Sequence, residues 1–288
     1  MAGPLLAVDA PSLLFRGFYA LPDKITDGEG RPVNALLGAA NLVLFEVERF
    51  RPRAVVMCFG PDAAPYRTEL YPGYHADREA AVPDGIVWQF EEAPAFFEAF
   101  GWASLYDPSV EADDLLGSLA KLEEQSGGRA LLLTGDRDMY QCATGAVTVL
   151  YVKTGSKGRG AEEVDAAEVK RRYGIPPELV PDFIALRGDP SDGLPGAKGI
   201  GEKTAADLLK RHGSLDGALA AWSGESPRVR AALHEQAAEL RDFREIATLR
   251  TLELERPPDM PLDTAGAAEA ARGLGMNRLA ERLEKLGD

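Results

Sequence analysis

Zinc and disulfide chemistry have little to work with in this sequence. Its 288 residues include three histidines and two cysteines. Zinc sites draw on clustered His and Cys, and small disulfide scaffolds on many paired cysteines. Cys58 and Cys142 lie in or beside apolar segments and read as buried free thiols of a reducing compartment. No run of about 18 apolar residues occurs, which excludes a transmembrane helix and a membrane partner. The start, MAGPLLAVDA, lacks a basic leader and reads as a first strand rather than a signal peptide. Positive charge is short as well: the net charge is −14. That argues against a surface built broadly for phosphates, unless the acid is gathered at one site and neutralised there by cations. With 45% apolar and 8% aromatic residues, the chain can bury a core in one or two domains.

Four apolar runs have the length and composition of buried strands: Leu5–Val8, Ala54–Phe59, Ala130–Thr134 and Val147–Val152. Helical patterns at about 33–50, 87–100 and 111–125 separate them. Such alternation predicts right-handed crossovers and an α/β fold with a parallel sheet flanked by helices. After residue 160 strands largely stop. Helical patterns follow at about 165–173, 178–187, 201–212, 226–249 and 276–287. The stretch Lys153–Gly160 (KTGSKGRG) is a glycine-rich basic loop.

The acidic residues fall at the ends of these elements. Asp9 closes the first strand, and Asp136 and Asp138 follow the strand ending at Thr134. Sites in parallel sheets form at the carboxyl ends of strands. Glu111, Asp113 and Asp114 open a helix; Glu111 and Asp114 share a face, and Asp113 points elsewhere. Taken alone, that trio is ordinary helix capping, and Asp189 with Asp192 could be a turn. Together, eight carboxylates at the ends of four elements would repel one another or demand a cation. An oxygen-rich set without His or Cys suits Mg²⁺ or Mn²⁺ rather than zinc. Two such ions can serve an in-line phosphoryl displacement.

The stretch from Gly196 to Thr204, GAKGIGEKT, precedes a helical pattern. Gly196, Gly199 and Gly201 let the backbone approach a ligand at a helix start, a geometry that binds phosphate. From Gly196 to His212 four Lys or Arg face two acids, a basic element in an acidic chain. A tight helical corner is the alternative reading.

At this point the sequence resembles the bacterial 5′ nuclease family: the 5′-3′ exonuclease or flap endonuclease domain of DNA polymerase I and its free-standing relatives. The stretches that carry the resemblance are LLAVDAPSLLFRGFYAL, RPVNALLGAANLV, YRTELYPGYHADR, EADDLLGSLAK, LLTGDRDMYQC and RYGIPPELVPDFIALRGDPSDGLPGAKGIGEKTAADLL. They run from residue 5 to about 215. The resemblance implies a PIN-like α/β catalytic domain over 1–160, with an arch at about 66–85. A mainly helical part over 161–288 would carry a helix–two-turn–helix DNA-binding element (of H3TH type) at about 182–215. One metal cluster would involve Asp9, Glu111 and Asp113. Asp114, Asp136 and Asp138 would complete the acidic floor, and Asp189 and Asp192 its distal part. Arg16 would contact the scissile region, and Arg67 and Tyr74 the DNA, with Tyr74 stacking on a base. Arg78 would act from the arch. Gly196, Lys198, Gly199, Gly201, Lys203 and Thr204 would hold the duplex behind the cut, with K⁺ on their carbonyls.

Two positions depart from the family's pattern. Gly60 stands where a metal-binding aspartate is usual, and Asp62, two residues on, could reach back in its place. His75 stands where the arch usually has lysine, and would carry charge only when protonated. The implied activity is two-metal hydrolysis of DNA phosphodiesters at 5′ ends and 5′ flaps, RNA primer strands included. The expected setting is replication or repair in a bacterial cytoplasm, at the nucleoid, as a monomer beside a separate polymerase. Met1 and a complete-looking last helix fit a free-standing chain. A DNA-junction clamp with weakened catalysis and a PIN-type ribonuclease are the competing readings.

Overall fold

A computed structural model describes residues 3–76, 83–153 and 160–287. The expected arch residues 77–82, Arg78 among them, and positions 154–159 of the basic loop lie outside the described residues. Six strands form one sheet: β1 (Leu5–Asp9), β2 (Ala54–Phe59), β3 (Ala103–Tyr106), β4 (Ala130–Thr134), β5 (Val147–Tyr151) and β6 (Glu162–Val164). Their order is β3-β2-β1-β4-β5-β6. All pairs are parallel except β5 with β6, which is antiparallel. The four expected strands are the centre of the sheet. The two unanticipated strands are its edges, where ASLY is half-buried or exposed and EEV carries two glutamates. An edge needs cover on fewer sides, so it shows no continuous apolar run. The expected boundary at residue 160 falls before β6, so the sheet continues past it.

Alternation along each strand sends side chains to two faces. Leu5 and Ala7 pack with Leu115, Leu119 and Phe183; Leu6 and Val8 pack with Leu13, Leu36 and Phe97. The second face is covered by helices α1 (Ala10–Ala20), α2 (Asn34–Phe50) and, beyond the short α3 (Pro65–Leu70), α4 (Asp84–Glu98). The first face carries α5 (Ala112–Gln125) and the helices that follow: α6 (Ala166–Tyr173), α7 (Val180–Arg187), α8 (Glu202–His212) and α9 (Leu215–Ala220).

The single helix expected over 226–249 is two, α10 (Pro227–Glu235) and α11 (Ala237–Ala247), broken at Gln236. Residues 249–263 then carry neither helix nor strand. The buried Arg53–Glu123 pair, 2.6 Å apart, holds this strap: Arg53 donates to Pro257 O and Asp259, and Arg256 donates to Glu123. The strap leads to α12 (Thr264–Gly273) and α13 (Asn277–Gly287), whose Met276, Leu279 and Leu283 return to the core beneath α2 and α4. No helix among the described residues is long and apolar enough to cross a membrane.

Candidate active site

The chain leaves β1 to build one side of the sheet and returns beside β1 to build the other. Such a reversal opens a crevice at the carboxyl ends of the strands. Here it holds a cavity of about 1230 Å³ lined by Asp9, Asp113, Asp136, Asp138, Asp189 and Asp192, with Glu111 and Asp62 also on its wall.

Local structure sets each of these acids. Asp9 ends β1 and caps α1: its Oδ1 accepts from Ser12 N at 3.0 Å. Its Oδ2 accepts from the Thr134 hydroxyl at 2.7 Å, and that hydroxyl accepts from Asp136 N at 2.9 Å. Thr134 thus ties β1 to the turn after β4. Asp136 Oδ1 accepts from Asp138 N at 2.8 Å, which curls the chain and turns Asp138 to the same cavity. Gln141 braces that turn by donating to both Asp138 O and Ala247 O at 2.9 Å. Neither Thr134 nor Gln141 was expected at the site. The only signal is their place beside the two aspartates in TGDRDMYQ.

The floor is electrically strained. Burial pushes Asp113 well above the ordinary carboxylate range, and the charges of Asp9, Asp136 and Glu111 add to it. Burial raises Asp136 to about 7, helped by Asp192, Asp9 and Asp189. Asp138 is pushed well up by burial and by Asp136, Asp192 and Asp189, while Arg187 opposes the shift. Burial raises Asp9, against its hydrogen bonds to Thr134 and Ser12 and the Arg16 charge. Asp113 Oδ1 is buried with no hydrogen-bond partner among the described residues. A buried carboxylate oxygen without a donor is costly, and a cation is the partner that would satisfy it while relieving the repulsion. No three His, Cys, Asp or Glu side chains among the described residues stand as a ready-made metal shell. Mg²⁺ does not need one: it keeps several waters and takes one or two carboxylates plus substrate phosphate. The donor set fits a hard divalent cation.

Asp114 is a correction to the expected floor. It is fully buried, faces away from the cavity, and is fully supplied with donors. Arg67 Nη2 reaches it at 3.0 Å, Arg250 N at 2.8 Å, Glu111 N at 3.2 Å and the Tyr66 hydroxyl at 3.2 Å. Helix geometry separates the neighbours: Asp113 faces the cavity and Asp114 the core. Glu111 stands between the two settings, accepting from Ala64 N at 2.7 Å and lying 2.9 Å from Arg67 Nη1.

Arg67 is a second correction. Expected on DNA, it is 3% exposed and is spent on Glu111, Asp114 and Ile246 O. Tyr74 is a third. It is buried in the cavity wall, donates to Glu111 at 3.0 Å, and stacks one face on the His75 ring at 4.0 Å rather than projecting toward a base.

His75 sits in the wall with φ +54. Its Nδ1 donates to Asp62 O at 2.6 Å, and its Nε2 lies 3.2 Å from Asp192 Oδ1. Both neighbours are hydrogen-bond acceptors. Gly60 lies against the start of α5: a Cβ there would meet Val110 O at 2.7 Å and Ala112 N at 2.8 Å. The local packing therefore excludes the usual aspartate. The Asp62 side chain is 61% exposed, with Oδ2 3.6 Å from His75 Nδ1.

Arg16 lines the cavity and donates to Gly135 O at 3.1 Å. Arg187, unexpected here, pairs with Asp189 at 3.0 Å. The glycine turn lies away from the floor. Gly196 and Gly199 take positive φ. Gly201 does not; it caps α8 with extended backbone and open space around it. Lys198 and Lys203 are exposed, and Thr204 is half-buried.

Residues 4–174 match the family described as 5′-3′ exonuclease, N-terminal resolvase-like domain, and residues 175–266 match 5′-3′ exonuclease, C-terminal SAM fold. A 5′-3′ exonuclease of Mycobacterium tuberculosis is 35% identical, covering 100% of this chain and 99% of that protein. The thermostable DNA polymerase I of Thermus thermophilus is 36% identical over 98% of this chain, which spans 32% of that polymerase. Among solved structures, T5 5′-exonuclease with bound divalent metal ions (zinc) superposes with a TM-score of 0.71 at 14% identity, covering 99% of both chains. The catalytic core of Rad2 in complex with DNA substrate gives 0.61 at 14% identity, covering 98% of this chain and 91% of that one. These two show the shared fold. With both halves of the family pattern present in order, and a relative at 35% identity covered over 99% of its length, the chain belongs to the 5′-3′ exonuclease family.

Proposed function

We propose that this chain hydrolyses DNA phosphodiesters at 5′ ends and 5′ flaps with Mg²⁺ or Mn²⁺ at the acidic floor. The observation that carries the reading is the set of Asp9, Asp113, Asp136 and Asp138. Burial raises all four, repulsion from neighbouring carboxylates adds to it at Asp113, Asp136 and Asp138, and one buried oxygen lacks a partner. Divalent cations bound there would neutralise the carboxylates and supply the Lewis acidity that phosphoryl displacement needs. Asp9, Asp113, Asp136 and Asp138 hold that charge, with Glu111, Asp189 and Asp192 at its margins. Arg16, on the cavity wall, orients the scissile phosphate. Arg187 and His75 fix the distal carboxylates Asp189 and Asp192. The sheet unit thus carries chemistry and the helical part after it grips the duplex. There the turn at 196–204 meets phosphates and offers carbonyls to K⁺. RNA primer strands and a separate polymerase fit the same role at the nucleoid.

The test is a gel with labelled 5′-flap DNA, its ribonucleotide counterpart, and chelated or Mg²⁺-supplied protein. Flap cleavage that appears only with Mg²⁺ supports the reading. Robust cleavage by metal-stripped protein in excess EDTA contradicts the metal role. Binding without cleavage at any Mg²⁺ concentration favours a junction clamp.

A further inference from the structure

Helices α10 and α11 follow the glycine turn in sequence and return to it in space. Gln236, at the break between them, accepts from Lys198 N through its Oε1 at 2.7 Å. Arg228, in the first turn of α10, lays its guanidinium across Gly199. A Cβ at Gly199 would stand 2.1 Å from Arg228 Nε and 2.3 Å from Nη2. Gly199 also has φ +77. The backbone conformation therefore favours glycine there, and the guanidinium lies against its open side.

Several arginines of the helical part are matched with acids: Arg211 with Glu225, and Arg241 and Arg244 with Asp216. Arg228 is exposed and makes no hydrogen bond or ion pair among the described residues. Lys198 and Lys203, both exposed, lie on the same turn and helix start. An unmatched guanidinium packed on this turn has the donors to take a phosphate in bidentate fashion.

We propose that Arg228 is a further phosphate contact for the duplex, extending the grip of the glycine turn. This rests on the reading that the turn holds duplex DNA. A phosphate contact positions the substrate without reading its sequence. The effect therefore falls on affinity and salt dependence, and is alike for different sequences.

The experiment measures binding of a labelled 5′-flap duplex to the full chain in Ca²⁺, from about 50 to about 200 mM salt. Arg228→Ala should raise Kd about tenfold and lower the slope of log K against log salt by about 0.9. Arg228→Lys should keep the slope and recover part of the affinity. Arg230→Ala removes the same charge two residues on, from another side of the helix, and should leave the slope unchanged. An unchanged slope in Arg228→Ala, or an equal fall in Arg230→Ala, would overturn the assignment. Wild-type protein that neither binds nor cuts the flap would overturn the nuclease reading itself, and this inference with it.

Discussion

Asp113 and Asp114 are neighbours on one helix in opposite electrical settings. Asp114 is enclosed by Arg67, Tyr66 and two backbone N–H groups. Asp113 faces Asp9 and Asp136 with one oxygen unpartnered. The core side therefore satisfies its charge within the protein, while the cavity side leaves charge unsatisfied. An acidic motif at a helix start can thus hold two functions at adjacent positions. One acid locks the helix to α3 and, through Arg67 and Ile246 O, to the end of α11. The other turns an unpartnered oxygen to the cavity side.

The largest expected effect comes from breaking the unsatisfied side. Asp113→Asn and Asp136→Asn should each slow single-turnover flap cleavage by at least about a thousandfold, about 4 kcal/mol of barrier. Neither should weaken flap binding or lower the metal-free melting temperature, because each removes a repelled charge. The carboxyl of Asp136 is raised from 3.8 to about 7. Its contribution to metal-free stability is therefore complete below the lower value and lost as pH rises through the upper one. Asp113 and Asp138 shift in the same direction. Metal-free protein should melt at lower temperature as pH climbs across that window, Asp136→Asn should flatten the fall, and Mg²⁺ should cancel it in wild type. Wild-type turnover by Asp136→Asn in limiting Mg²⁺ would place the cation elsewhere.

Breaking the satisfied side should affect folding more than chemistry. Asp114→Ala and Arg67→Met each leave a buried partner uncompensated, at about 3–5 kcal/mol of stability. The double variant Arg67→Met with Asp114→Leu should recover much of that loss, because apolar replacement of a whole buried pair is often tolerated. Urea unfolding measures both. Asp114→Ala that melts like wild type yet cannot cut would reverse the assignment of the two neighbours.

The sequence carried the acidic edge further than it carried the bracing behind it. Asp9 and Asp136 were legible because strand ends in a parallel sheet converge, and an apolar run followed by aspartate marks such an end. The split between Asp113 and Asp114 was visible as helix phase, but which side was core was not. That choice depends on Arg67 and Tyr66, more than forty positions earlier in the chain, and on the backbone of Arg250. For the same reason Arg67 and Tyr74 read as DNA contacts: a cation and an aromatic near a site look alike whether exposed or buried. The edge strands were hidden by their polarity. The break at Gln236 was hidden because both helices share one apolar rhythm.

The smallest expected effect concerns Asp62, which tests whether the unsatisfied side extends to the wall beneath Gly60. The family's usual aspartate cannot be restored at residue 60. Its Cβ would lie 2.7 Å from Val110 O and 2.8 Å from Ala112 N, both backbone atoms at the start of the helix that carries Asp113. Gly60→Asp should therefore destabilise the protein by about 1–3 kcal/mol and disturb Asp113 rather than add a ligand. Asp62 borders the same cavity through an exposed carboxylate close to His75. An exposed acid in high dielectric adds only modest attraction to a cation. Asp62→Ala should thus raise the Mg²⁺ concentration for half-maximal cleavage by a few-fold, leaving turnover at saturating Mg²⁺ unchanged. Mn²⁺ binding by calorimetry, without substrate, should weaken in step. If both titrations match wild type, Asp62 is a wall residue that orients His75, and the cation depends on the floor carboxylates alone.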